Sequence, residues 1–107
     1  MTPERFNQIF DEITDKCEKV LVDRGHMYAR GGDRLSNFKS AAMLRSSSPI
    51  DSLGGLMSKQ IVAVYDYIND TDQGVRHTIE EWEEKIYDSI NYLILLRALI
   101  EDIKYAA

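Results

Sequence analysis

Only two prolines occur in the chain, and each directly follows a hydroxyl residue, in Thr2-Pro3 and Ser48-Pro49. Proline has no N–H and a fixed φ, so it suits the first helical position and disrupts an interior one. A hydroxyl just before it can accept from the free N–H groups of the first turn. Both prolines therefore open helices rather than break them. With only six glycines among 107 residues, little else interrupts the chain. The expectation is an all-α fold, a bundle of about four long helices forming one domain over residues 1–107.

Periodicity fills in the elements. Phe6, Ile9, Phe10, Ile13, Cys17, Val20 and Leu21 recur at three- and four-residue steps and predict one apolar face on a helix from Pro3 to Arg24. Gly25 ends it, and GHMYARGGD reads as a loop. Asp33 can cap a short second helix whose Leu35, Phe38, Ala41 and Ala42 face inward. The third helix starts at Pro49, runs to about Asn69 and turns Ile50, Leu53, Met57, Ile61, Val64 and Ile68 inward. Gly54-Gly55 inside it suggest close approach of another backbone or a ligand, or a bend. Thr78 and Glu81 form a capping box opening the fourth helix, which extends to about Lys104. Its spine is Ile79, Trp82, Ile86, Ile90, Leu93, Ile94 or Arg97, and Ile100, while Leu95, Leu96 and Leu99 make its C-terminal half apolar on nearly all sides. Such a helix is central or shared with another subunit. Self-association through Leu95, Leu99 and Ile103, giving a homo-oligomer, is the expectation.

A net charge of −5 repels a nucleic-acid backbone, and no dense Lys/Arg stripe offsets it, so duplex binding is not expected. The longest apolar stretch, Tyr92 to Leu96, is far short of a membrane span. The opening MTPERFNQIF lacks the apolar core of a secretory signal, which makes the cytoplasm the expected compartment. Cys17 is the sole cysteine and lies on an apolar face, as buried free thiols commonly do. His26 and His77 stand in separate loops without ligand spacing to anything.

Chemistry gathers in two places. Glu84, Asp88 and Asn91 lie at steps of four and three on the last helix, with Tyr92 beside them, hence on one face. Two carboxylates and an amide oxygen are hard donors of the kind Mg²⁺ accepts, so Glu84 and Asp88 are candidate metal ligands. The same face can instead hydrogen-bond a base or ribose, or simply be solvated. Asp88 and Asn91 sit where the helix turns strongly apolar, and buried polar groups need partners. The second group is Tyr28, Asp33, Arg34, Asn37, Phe38 and Lys39, where arginine and tyrosine can meet a phosphate and stack on a base. On the third helix, Lys59 can neutralise the carboxylates or a ligand phosphate.

The order Tyr28…Asp33-Arg34-Leu35-Ser36-Asn37-Phe38, then Leu53-Gly54-Gly55-Leu56-Met57-Ser58-Lys59-Gln60, then the run from Glu84 to Leu96, resembles a family of small bacteriophage and prophage proteins. That family looks like the nucleotide modification associated domain and is distantly similar to the all-α, MazG-like NTP pyrophosphatases. The resemblance spans residues 25–103 and implies an oligomeric helical bundle handling a nucleotide or nucleotide-derived molecule. Asp33, Asn37, Lys59, Glu84, Asp88 and Asn91 are the family positions it carries over. Hydrolytic members hold Mg²⁺ between an E-E-x-x-E and an E-x-x-D cluster. Here Glu84 and Asp88 are spaced by four, Lys59-Gln60 stand where an acidic pair is expected, and only Asp66 and Asp70 remain on that helix. The resemblance thus implies nucleotide binding with weak or no hydrolysis. The alternatives are a Mg²⁺-dependent nucleoside triphosphate pyrophosphatase and a phage anti-defence protein that sequesters a signalling nucleotide or blocks a host protein.

Overall fold

A computed structural model describes residues 1–105, all of whose regular elements are helical. The caps act as the sequence requires. Thr2 Oγ1 accepts from the Arg5 N–H at 3.0 Å to open α1 (Pro3–Glu18), and Ser48 Oγ accepts from the Asp51 N–H at 3.1 Å to open α3 (Pro49–Asp72). At α4 (Ile79–Tyr105) the Thr78 and Glu81 side chains exchange bonds with each other's backbone N–H, both at 3.1 Å.

Three boundaries depart from the sequence reading. The first helix loses α geometry at Glu18 and widens into a π-helical turn, Lys19–Asp23. Two short 3-10 turns follow, Gly25–Tyr28 and Arg30–Gly32, and Gly31 and Gly32 take positive φ of 67° and 79°, which side chains disfavour. α2 (Ser36–Arg45) begins past Asp33, whose carboxylate instead accepts from the Leu35 N–H two residues on, at 3.0 Å. α3 passes through Gly54 and Gly55 unbroken. Nothing approaches a Cβ placed at Gly54, and only the Arg45 guanidinium, at 3.4 Å, approaches one at Gly55, so no close backbone contact explains the pair.

α4 is the axis of the bundle, packed by α3 and α1, with α2 resting on α3. The core lies where α2, α3 and the C-terminal half of α4 meet: Leu35, Phe38, Leu53 and Leu99, backed by Met57, Leu95 and Leu96. Phe38, Leu53 and Leu99 are fully buried, each contributing about 1.5–3 kcal/mol. Asp88, Asn91, Leu95 and Leu99 follow at steps of three, four and four, and this stripe faces inward. Of the anticipated spine, Ile79, Ile86, Leu93 and Ile94 are exposed, while Trp82, Ile90 and Ile100 are half-buried. Phe6, Ile9 and Phe10 of α1 are exposed too, as are Ile50 and Ile68 of α3. The anticipated self-association surface is also divided, because Leu99 is buried within the chain and Leu95 packs on its core, leaving Ile103 exposed.

Polar ties fix the remaining geometry. Lys39 Nζ reaches Asp33 at 2.6 Å and Asp102 at 2.9 Å, joining the loop before α2 to the end of α4. Lys16 pairs with Glu83, and Gln60 Nε2 donates to the Lys85 carbonyl at 3.3 Å, setting α1 and α3 against α4. At the α3–α4 turn, His77 stacks on Tyr67 with ring centroids 3.7 Å apart, and its Nε2 lies 2.7 Å from Asp70 Oδ2. His77 is thus a structural residue. Among the described residues no helix is long and apolar enough to cross a membrane.

Candidate functional site

A cleft of about 230 Å³ opens beside the core, between α4, α2, α3 and the π-helical turn. The widened turn presents Val20 and Leu21 as one wall. Because π turns displace backbone carbonyls from the regular ladder, they recur at functional sites. Here the Leu21 carbonyl accepts from Arg34 Nη2 at 3.1 Å. The guanidinium lies over the Tyr28 ring, 5.3 Å from its centroid, a cation–π contact that leaves an edge of donors at the cleft. Gly25 makes room for this arrangement, since a Cβ there would stand 2.9 Å from Arg34 Nε.

The floor belongs to α4. Asn91 is only 6% exposed, and its Oδ1 and Nδ2 are both buried without a hydrogen-bond partner among the described residues. Leaving such groups unpaired costs about 1–3 kcal/mol. Asp88, one turn earlier, also has no protein hydrogen-bond partner among the described residues. Burial, then the nearby Glu84 charge, pushes its carboxyl above the usual carboxylate range against a smaller opposing pull from Lys85. Tyr92 is raised by burial and then by Asp88 and Tyr28, so its phenol stays a donor. Cys17 lies behind this floor, its thiol pushed up by burial and then by Asp88, which suits a packed side chain and not a nucleophile. A second cleft, of about 400 Å³ and nearly all apolar, adjoins the first, and Leu21, Arg34 and Leu95 stand between the two.

Of the residues singled out in the sequence, the fold brings Tyr28, Arg34, Asn37, Asp88 and Asn91 together around one cavity. Three lie outside its lining. Asp33 is occupied by Lys39 and the Leu35 N–H, which hold its carboxyl below the usual range. Lys59 and Glu84 are exposed. Tyr92, noted beside the polar stripe, and Gln60, next to Lys59, also line the cleft, together with Val20, Leu21 and Leu56, to which the sequence assigned no site role. Helical phase selects Tyr92 relative to Asp88 and Leu95 relative to Asn91, each four residues on; nothing local marks the π turn.

Glu84 and Asp88 remain the acidic pair available to a cation. Among the described residues no group of three His, Cys, Asp or Glu side chains converges. Two carboxylates suit a Mg²⁺ that brings its other oxygen ligands with it, as substrate phosphates and waters do. Compared with family models, curated proteins and solved structures, the chain matches none of them.

Proposed function

We propose that the cleft binds a nucleotide-like small molecule, with the base against Asn91 and the phosphate toward Arg34. The observation that carries this reading is the buried, unpartnered amide of Asn91 in the cleft lining. A carboxamide offers a donor and an acceptor side by side, which matches adjacent acceptor and donor atoms on a heterocyclic base edge. Asp88 and Tyr92 add further hydrogen-bonding groups next to it. Tyr28 and Phe38 supply aromatic surface, and Arg34 supplies the positive charge.

Size supports the same division. At about 230 Å³ the cleft is below the roughly 300–1,000 Å³ of pockets that enclose drug-sized ligands, so a base or nucleoside fits inside and phosphates remain at the mouth. The order of motifs, which resembles the phage nucleotide-modification family, agrees with this ligand class. The reading is of binding. Triphosphate hydrolysis needs metal to offset charge and activate water, and the acidic pair is thin for that task. A Mg²⁺ accompanying the ligand would be held by Glu84 and Asp88 with the ligand's own phosphates.

Isothermal titration calorimetry of the purified chain against mononucleotides and cyclic nucleotides, with and without Mg²⁺, tests the proposal. Binding of at least one nucleotide, lost in Asn91→Leu and weakened in Arg34→Met, is expected. Silence across the panel, or binding untouched by Asn91→Leu, refutes it.

A further inference from the structure

The chain leaves too much of itself outside. Its accessible surface is 7874 Å², whereas a compact monomer of 12.3 kDa exposes about 6,100 Å². Its radius of gyration is 16.2 Å, against about 13 Å for a compact domain of this length. The excess, about 1,800 Å², falls within the roughly 1,000–2,500 Å² that each chain of an obligate homodimer buries.

Exposed apolar side chains occur on all four helices, and two of these groups adjoin. On α4 the face opposite the cleft carries Ile79 (68% exposed), Ile86 and Leu93 (53%). On α1 it is the N-terminal half, with Phe6 (61%), Ile9 and Phe10 (58%). α1 and α4 run in the same direction, since Lys16 meets Glu83, Cys17 lies against the Tyr87 carbonyl, and Leu21 reaches Leu95 across the clefts. Phe6 precedes Lys16 by ten residues and Ile79 precedes Glu83 by four, so α1 overhangs the start of α4 by about 9 Å. The overhang is an apolar helical stripe lacking a helix to rest on. The outer face of α4 is a helical face lacking a stripe to cover it.

We infer that these two surfaces are covered by a second copy of this chain, the overhang of each α1 lying on the outer face of the other α4 about a two-fold axis. One patch made of two complementary halves is what an isologous interface requires. Of the charged side chains near the two halves, Arg5 is paired within the chain with Glu12 at 3.0 Å and Arg97 with Glu101 at 3.5 Å. A partner of the area required is also present at the chain's own concentration whenever the chain is made. The inference is independent of the ligand reading, as it uses the side of α4 that the cleft does not.

Light scattering coupled to size exclusion, on the full chain at micromolar concentration, tests it, together with the concentration dependence of Tm. The expected results are a mass of at least two chains and a Tm that rises with protein concentration. Ile86→Glu with Leu93→Glu should yield a one-chain mass with helical circular dichroism retained or reduced. Leu44→Glu, on an exposed α2 residue outside the patch, should leave the mass unchanged. A one-chain wild type with a concentration-independent Tm overturns the inference. So does a double variant that keeps the assembled mass, or equal dissociation by Leu44→Glu.

Discussion

Replacing Asn91 by leucine should make the protein more stable while abolishing nucleotide binding. A buried polar side chain usually repays its desolvation through hydrogen bonds, but neither amide atom of Asn91 has a partner among the described residues. Leucine has a similar shape, and its neighbours Leu95 and Phe38 in the cleft lining are apolar. Removing the unsatisfied groups should recover about 1–3 kcal/mol. For a domain of this size that raises Tm by about 4–8 °C for each kcal/mol. Urea unfolding followed by circular dichroism, at matched protein concentration, should show a higher midpoint with an unchanged slope. Sign decides the matter, since most single substitutions destabilise by about 1 kcal/mol. A loss of stability in Asn91→Leu would mean that the amide already has a structural task. The argument that it awaits a ligand would then fail, as it would if calorimetric nucleotide binding survived the substitution.

Three further outcomes follow from contacts described above. Gly25→Ala places a methyl 2.9 Å from Arg34 Nε, which should shift the guanidinium off Tyr28 and the Leu21 carbonyl; a loss of about 1–2 kcal/mol in urea unfolding, with weaker nucleotide binding by calorimetry, is expected. His77→Ala removes the stack on Tyr67 and should cost about 1–2 kcal/mol in the same assay while leaving nucleotide binding unchanged. The Asp33 carboxyl is held low first by Lys39 and then by the Leu35 N–H. Its contribution is therefore present above the unfolded-state pKa and is lost as pH falls through the lower folded-state value. The stability difference between wild type and Asp33→Asn, measured by urea unfolding across pH, should shrink toward zero in strong acid; a difference that grows there contradicts the ion pair.

The starts of α1, α3 and α4 were legible because their determinants are local: Thr2, Ser48, Thr78 and Glu81 each bond within three residues. Which side of α4 faces inward was not. Apolar residues surround that helix, and periodicity cannot choose between two apolar faces; the choice is made by Phe38 and Leu53 arriving from elsewhere. The polar stripe was half right for a related reason. Asp88 and Asn91 lie level with the π turn and α2, whereas Glu84 is one turn short of that cover and stays exposed. Lys59 neighbours Gln60, but about 100° separates successive residues on a helix, and Gln60 is the one whose amide reaches α4. Asp33 was expected to cap α2, but its oxygens go to the Leu35 N–H, ahead of the helix, and to Lys39, six residues on.

The widened turn at Lys19–Asp23 sets the phase between two halves of one rod. Upstream, Lys16 and Cys17 fasten α1 to Glu83 and the Tyr87 carbonyl; within the turn, Val20 and Leu21 form the cleft wall. Rewinding all five residues to ordinary pitch would rotate one half against the other by about one residue's step, roughly 100°, whereas excising the surplus residue would let the halves keep their phase. With the residue kept and the turn rewound, either the fastening or the wall must let go. The surplus residue works as a gear tooth, meshing the overhanging end of α1 with the carbonyl that steadies Arg34.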